Sequence, residues 1–382
     1  MMINKLLKSR LLLKKLFGFF VKKNKKLISI DVGYRNIKVV EANLFEDNII
    51  HVKKFGIAPT PSTCIKNGKI FDSERLAFVV KKEMTGKKMK ARQAKIVMSG
   101  TCIISRVFIV DMIKGRDADY AIQQSIKENI PVNTANYKVV YKVLKQFKES
   151  KIHKLKVFIT AVRKDIINSY VEVLEKCNLK PVAIDIPANS ISKFFNREVI
   201  ADKRQHEFIR RHKEFINSTY AVLDFGSETT IVNILTDNVL EFNRVLLFGS
   251  SNFDKEISNK MSKTIEEGEY IKKKIGLIKP PDSANEEDKK AYEINKVLID
   301  KLIKQIAICF FFYEKKLFGL KVKGVYMIGG GSLIHGLRDY LETKLNVPVY
   351  PVNQIKLKGL ELSKEINKDY ICYLINSVGI TL

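Results

Sequence analysis

The chain has 382 residues, 46% hydrophobic and 29% charged, with 68 Lys and Arg against 41 Asp and Glu for a net charge of +27. That length suits two domains or one large bilobed fold, and the basic excess points to an anionic partner. Five scattered cysteines without a Cys-x-x-Cys pair argue against a disulfide framework, and the scattered histidines show no metal-ligand spacing.

Residues 1–26 carry nine Lys and Arg and no acid, a third of the charge excess. Leu6, Leu7, Leu11, Leu12, Leu13, Leu16, Phe17, Phe19 and Phe20 are interrupted by Lys5, Lys8, Arg10, Lys14 and Lys15. No apolar run reaches the ~18 residues of a membrane span. Lys14 and Lys15 also break the apolar region that a signal peptide needs. The segment reads as a peripheral anchor on an anionic leaflet, with a basic tail or a partner-docked helix as the alternatives.

From residue 27 the pattern is strand-like. Leu27–Ile30, Ile37–Ala42 and Ile49–Phe55 are expected strands, with Asp31-Val32-Gly33-Tyr34-Arg35-Asn36 between the first two. A loop at Pro59 to Gly68 precedes a helix at Ser73–Glu83 and a strand at Lys95–Met98. Next comes a strand–helix–strand–strand block: Arg106–Val110, Arg116–Glu128, Tyr137–Leu144 and Leu155–Val162. A helix at Lys164–Cys177, a strand at Pro181–Ile186 and a helix at Ala188–Phe195 complete the first half, and residues 196–217 read as a basic linker or surface helix.

The second half restarts at Tyr220 with the same grammar. The run Ala221-Val222-Leu223 leads to Asp224-Phe225-Gly226-Ser227-Glu228-Thr229-Thr230, then Ile231 to Leu235. A strand at Glu241–Leu247 ends near Gly249, a helical region covers Asp254 to Ile275, and a polar excursion follows at 278–291. A long helix at Ala291–Phe318 precedes a strand at Gly324–Ile328 that runs into Gly329-Gly330-Gly331-Ser332. A helix at Ile334–Leu345 and a strand at Val347–Tyr350 come last.

Two Asp-x-Gly hairpins nearly half a chain apart suggest two related halves that face one ligand. A nucleoside triphosphate needs backbone N–H groups aimed at phosphate oxygens, which tight turns at Gly33 and Gly226 supply. Asp31 and Asp224 end their strands and could hold Mg²⁺ through its waters. Lys38 can reach the β- and γ-phosphates, Thr229 and Thr230 add hydroxyls, and the triple glycine admits an adenosine close to the backbone. Each piece alone is an ordinary turn; the order of all three is the specific signal.

That order resembles the actin-like ATPase superfamily, with its phosphate-1, phosphate-2 and adenosine motifs. Within it the chain is similar to the PilM/FtsA branch, and to PilM more than FtsA. The block at about 105–160, Ile130-Pro131, Ile159-Thr160-Ala161-Val162-Arg163-Lys164, Asn178-Leu179-Lys180-Pro181-Val182 and Gly336-Leu337 followed by Leu341 to Pro348 carry the likeness. The resemblance implies an α/β, actin-like (ribonuclease H-like) bilobed fold with an inserted strand–helix–strand–strand subdomain. The implied division places an extension at 1–26, a first lobe at 27–105 and 159–200, and an inserted subdomain at 106–158. The second lobe would hold 218–250 and 318–382, with a helical subdomain at 251–317.

By position, Asp31, Gly33, Tyr34, Asn36 and Lys38 would form phosphate-1, and Asp224, Gly226, Ser227, Thr229 and Thr230 phosphate-2. Gly249 would sit in the next nucleotide-facing turn. Glu269 and Lys272 would contact ribose and base, unless they form a plain i,i+3 ion pair. Gly329, Gly330, Gly331 and Ser332 would cradle adenosine. The implied cofactors are ATP and Mg²⁺, with Asp31 and Asp224 as the catalytic and metal-facing carboxylates.

The chain departs from the pattern at Tyr34, Arg35 and Asn36, where serines are usual. It also has Ile186 before Pro187 where related filament formers carry a water-positioning Glu, with Asp185 one residue away. Nucleotide binding with slow or absent hydrolysis is therefore expected. The implied role is a cytoplasmic scaffold of type IV pilus assembly on the inner face of the membrane, with the N-terminal cytoplasmic tail of a PilN-like membrane protein as its partner. An FtsA-like division tether would need a basic amphipathic C-terminus, whereas Tyr370–Leu382 is apolar. A sugar or acetate kinase would need a catalytic Asp in the first lobe, and the best candidate, Asp111, sits in the inserted subdomain instead.

Overall fold

In a computed structural model, each half of the chain opens with an antiparallel hairpin whose tip carries the Asp-x-Gly turn. The structure describes residues 25–44, 50–113, 115–130, 132–133, 135–196, 219–317, 319–355, 360–364 and 366–382. Residues 1–24 of the basic extension and nearly all of the stretch at 196–217 lie outside the described residues.

The first half runs β1 (Lys25–Val32), β2 (Asn36–Leu44), β3 (Ile50–Pro59), a small hairpin of β4 (Ile65–Lys66) and β5 (Lys69–Ile70), α1 (Ser73–Gly86) and β6 (Gln93–Val97). The inserted block follows as β7 (Ile104–Asp111), α2 (Ala118–Asn129), β8 (Tyr137–Glu149) and β9 (Ile152–Arg163). Then come α3 (Lys164–Lys176), β10 (Lys180–Asp185) and α4 (Pro187–Asn196). The second half contains β11 (Thr219–Phe225), β12 (Thr230–Thr236), β13 (Val239–Leu246), α5 (Ser251–Met261), α6 (Ile265–Ile275) and α7 (Glu286–Lys316). It continues through β14 (Val325–Ile328), a 3-10 turn (Gly330–Leu333), α8 (Leu337–Leu345), β15 (Val349–Pro351), β16 (Leu360–Leu362) and α9 (Ile371–Gly379).

Two large sheets result, one in the order β10-β6-β1-β2-β3-β16 and the other β13-β12-β11-β14-β15. The inner strands β11, β12 and β14 are buried almost throughout and read as nearly continuous apolar runs. In β2, Ile37 and Val39 enter the core on one face, while Val40 and Ala42 enter a second core on the other. That second core also takes Tyr220, Val222 and Ile328 from the other sheet, together with Ile371, Leu374, Ile375 and Val378 of α9. α9 thus lies between the two halves. Its end is gripped from the first sheet: the buried Lys95 ammonium donates to the carbonyl oxygens of Ile380 at 2.9 Å and Thr381 at 3.2 Å. Burial and the nearby Lys193 pull that ammonium down to about 8.

The inserted block is an antiparallel sheet, β7-β9-β8, with α2 on one face and its own core around Ile122, Ile126, Val157 and Ile159. It is tied to the second half as well as the first. The Ser105 hydroxyl donates to Asn243 Oδ1 at 2.7 Å, and Lys156 pairs with Glu241 on β13.

Three local features differ from the reading of the sequence. The region 254–275 is two helices, because Ser262 takes a left-handed φ of 53° and Thr264 opens a new helix through a capping box with Glu267. The triple glycine leads into a 3-10 turn before α8 starts, so the helix begins three residues late. α9 is a helix in a segment described only as apolar, with Ile371, Leu374, Ile375 and Val378 at helical spacing.

Candidate functional site

A cleft of about 930 Å³ opens where the two hairpin tips meet the start of the 3-10 turn. The tips are built alike. The Gly33 N–H donates to the Asn36 carbonyl at 3.1 Å, and the Gly226 N–H donates to the Thr229 carbonyl at 2.9 Å. A Cβ at Gly33 would meet that carbonyl oxygen at 2.8 Å, and one at Gly226 would meet its counterpart at 2.9 Å, so both turns exclude a side chain. The Thr60 hydroxyl donates to the Gly33 carbonyl at 2.6 Å and braces the first tip from β3's end.

The carboxylates differ in how they are held. Asp31 faces Lys38 across the β1–β2 ladder, and Lys38 Nζ donates to Asp31 Oδ2 at 3.0 Å, with both side chains largely buried. Asp224 is the penultimate residue of β11 and is also buried, but the apolar Ile231 is its cross-strand partner. Its Oδ2 accepts from Asn376 Nδ2 of α9 at 2.9 Å. Burial pushes the Asp224 carboxyl above its ordinary value, and Asp31 adds to this; Asn376 and Lys38 act in the other direction. Gly329, at φ 83°, brings the backbone so close that a Cβ there would lie 2.5 Å from Asp224 Oδ1.

On the far wall, Lys272 is buried and paired with Asp254 at 2.6 Å rather than with Glu269. Glu269 bonds Arg35 of the first tip and Lys273 of its own helix, at 2.8 Å for the latter. The Arg35–Glu269 pair therefore spans the cleft mouth. Burial alone would raise the Glu269 carboxyl, yet Lys273 and Arg35 hold it below its usual value. Burial also raises the Tyr34 phenol, which lines the cleft beside the first tip.

Of the residues singled out by sequence, the cleft is lined by Asp31, Gly33, Tyr34, Asn36, Lys38, Asp224, Gly226, Ser227, Thr229, Glu269, Lys272, Gly329, Gly330 and Gly331. Four others stand behind the lining. The Thr230 hydroxyl donates to the Phe248 carbonyl at 2.8 Å, and the Gly249 N–H donates to Asn252 Oδ1 at 2.9 Å. The Ser332 hydroxyl donates to the Gly329 carbonyl at 2.6 Å. Asp185 accepts from the Ile186 N–H at 2.8 Å, from Asn189 Nδ2 at 2.9 Å and from Lys193 Nζ at 2.7 Å, which commits its carboxylate to the start of α4. Sequence reasoning missed Asp254, Tyr373 and Asn376, all of which line the cleft. Asn376 carried one usable signal, a lone amide among the apolar residues of α9.

The lining holds four carboxylates (Asp31, Asp224, Asp254, Glu269) and four cations (Arg35, Lys38, Lys272, Lys273). Such a balanced wall suits an anion that arrives with its own cation. Among the described residues no group of three or more His, Cys, Asp or Glu could hold a metal ion, so a metal here would rely on Asp31 and Asp224 through waters. The buried Oδ1 of Asn376, beside Asp224, has no hydrogen-bond partner and would be satisfied by a donating water of such an ion.

Comparison with known proteins matches this architecture. The sequence profile of the type IV pilus assembly protein PilM family fits residues 29–381. The structure of a PilM–PilN type IV pilus biogenesis complex superimposes with a TM-score of 0.75 at 19% identity, covering 93% of this chain and 97% of that one. The ethanolamine utilization protein EutJ from Carboxydothermus hydrogenoformans gives 0.52 at 14% identity, over 98% and 97% of the two chains. MreB 5 of Spiroplasma citri bound to AMPPNP gives 0.50 at 12%, over 93% and 96%. Among the described residues no helix is long and apolar enough to cross a membrane. The fold is actin-like, and the chain belongs to the type IV pilus assembly protein PilM family, as a component of type IV pilus assembly.

Proposed function

We propose that the chain binds ATP·Mg²⁺ in the cleft and uses it as a clamp between its two halves. The observation that carries this reading is the meeting of two like-built glycine turns, each following a buried carboxylate, around a wall of balanced charge. Gly33 and Gly226 leave room for phosphates against the backbone, Lys38 supplies a point charge, and Gly329–Gly331 admit the nucleoside. Mg²⁺ would neutralise phosphate charge, with Asp31 and Asp224 holding its waters. Arg35 and Glu269 would exchange their bond across the mouth for contacts to the nucleotide.

The partner in this reading is the cytoplasmic N-terminal tail of a PilN-like membrane protein, bound at the inserted β7-β9-β8 block. A route from cleft to block supports it. β12 starts at Thr230 beside the second tip, β13 returns to the cleft, and Asn243 and Glu241 of β13 hold Ser105 and Lys156 of the block. Closure of the cleft would thereby shift the block and its affinity for the tail. Hydrolysis would be slow or absent, since Ile186 is apolar and Asp185 is engaged elsewhere. The chain would work at the inner face of the cytoplasmic membrane, with residues 1–26 as one contact.

Isothermal titration of ATP with Mg²⁺ against wild type and Asp224→Ala tests the site. Wild type should bind, and the variant should lose at least about tenfold in affinity, the equivalent of roughly 1.4 kcal/mol. Equal affinity for both, or binding by neither, would sink the nucleotide reading.

A further inference from the structure

Away from the cleft, the last turns of α7 carry an apolar face that is largely exposed among the described residues, with only the Phe312 ring resting against Phe242 of β13. Ile308 is 65% exposed, Phe311 61% and Phe312 46%. The buried side of the same helix is complete, with Leu302, Ile303, Ile306, Cys309 and Tyr313 all in the second-half core. At 3.6 residues per turn, Lys301, Lys304, Ile308, Phe311, Phe312 and Lys315 fall within an arc of about 100°. The chain after the helix adds to this surface: Leu317 and Leu320 are exposed, and so are Lys321 and Lys323.

The free charge around this patch is basic. Lys301, Lys304, Lys315, Lys321 and Lys323 form no ion pair among the described residues. Arg244 of β13 is exposed and lies near enough to Cys309 to act on its thiol. The nearby acids are engaged: Asp300 accepts from the Tyr340 hydroxyl at 2.9 Å and pairs with Lys344 at 3.6 Å. Glu314 accepts from the Val322 N–H at 3.1 Å, and Glu241 is held by Lys156. Lysine rims around exposed aromatic and aliphatic side chains fit an interface that is apolar in depth and anionic at its surface. A nucleic acid would satisfy the lysines and leave Ile308, Phe311 and Leu320 in water. An ordinary protein partner with an acidic rim would use the same face without any preference for lipid.

We propose that the α7 C-terminal face, centred on Ile308, Phe311 and Phe312 with Lys301, Lys304 and Lys315 at its rim, docks on an anionic lipid leaflet. The aromatic and aliphatic side chains enter the headgroup boundary, and the long lysine stems lie along them with their ammonium groups on lipid phosphates. This surface is built by α7 and needs no nucleotide, so its failure leaves the cleft reading untouched.

The test is flotation of the full chain with vesicles of phosphatidylcholine alone and of phosphatidylcholine mixed with phosphatidylglycerol. Wild type, Ile308→Asp/Phe311→Asp and Lys304→Gln/Lys315→Gln are compared. Wild type should float with the anionic vesicles and not with the neutral ones. Each double variant should lose roughly tenfold or more in partitioning, as expected for two lysines or two inserted apolar groups. Should the aspartate pair lower the thermal midpoint, the lysine pair, whose residues are both exposed, decides alone. Failure of wild type to float, equal flotation with both vesicle types, or variants that float like wild type would overturn the proposal; the last result would leave binding to the N-terminal extension. A lipid-free dimer in sedimentation that Ile308→Asp/Phe311→Asp dissolves would assign the face to a second copy instead, and overturn it too.

Discussion

The two Asp-x-Gly hairpins share a turn and differ in how their carboxylates are balanced. Asp31 finds its counter-charge inside its own hairpin, seven residues on, because Lys38 is its register partner. Asp224 has an apolar register partner, and its amide donor Asn376 comes from 152 residues away. The first hairpin is thus electrostatically complete as a local unit. The second holds a buried charge that is only partly offset, the state a carboxylate would take if a cation were still to arrive.

The largest expected effect tests the first hairpin. Lys38→Met should leave Asp31 buried and unpaired and cost about 3–5 kcal/mol of folding stability, read by chemical denaturation. A loss below about 1 kcal/mol would show that Asp31 is solvated or rescued, and the hairpins would then be alike. Next is the second hairpin's donor. Asn376→Ala removes a hydrogen bond to a buried charge and should cost about 1.5–3 kcal/mol, more at pH 8 than at pH 4, since the bond matters most when Asp224 is ionised.

The smallest effect has the opposite sign. The folded Asp224 carboxyl is raised, so the unfolded chain gives up this proton first as pH climbs. Stability from this group is therefore present below the usual carboxylate value, falls as pH rises toward the higher folded value, and stays lost above it. Asp224→Asn should then be at least as stable as wild type at pH 8, with a gain on the order of 1 kcal/mol, and the gain should vanish near pH 4. A variant less stable than wild type at pH 8 would mean that the charge is balanced, and the contrast between the hairpins would fail.

Much of this site could be read from residues alone, for a physical reason. Turn geometry is local, so Gly33 and Gly226 with their preceding aspartates announce two tips. Charge pairing is not local. The spacing of Glu269 and Lys272 suggests one helical pair, yet the fold gives Lys272 to Asp254 and Glu269 to Arg35. The break at Ser262 was legible in principle, because Thr264 and Glu267 spell a capping box. The period of Ile371, Leu374, Ile375 and Val378 was legible too, but nothing nearby in sequence says that this helix brings Asn376 to Asp224. Likewise the Lys95 side chain reads as a surface lysine until the fold places it against the carbonyls of Ile380 and Thr381.

That last contact bears on how the molecule is made. The bond from Lys95 to Ile380 spans 285 residues, and α9 is synthesised after every sheet strand described here. While the ribosome still holds this segment, both hairpin tips have emerged, but the shared core lacks Ile371, Leu374, Ile375 and Val378. The cleft at that stage also lacks Tyr373 and Asn376. Two half-molecules can form their sheets early, whereas the mortise that joins them closes only once α9 has been made. A nascent chain is in this way kept from presenting a finished cleft until α9 has emerged.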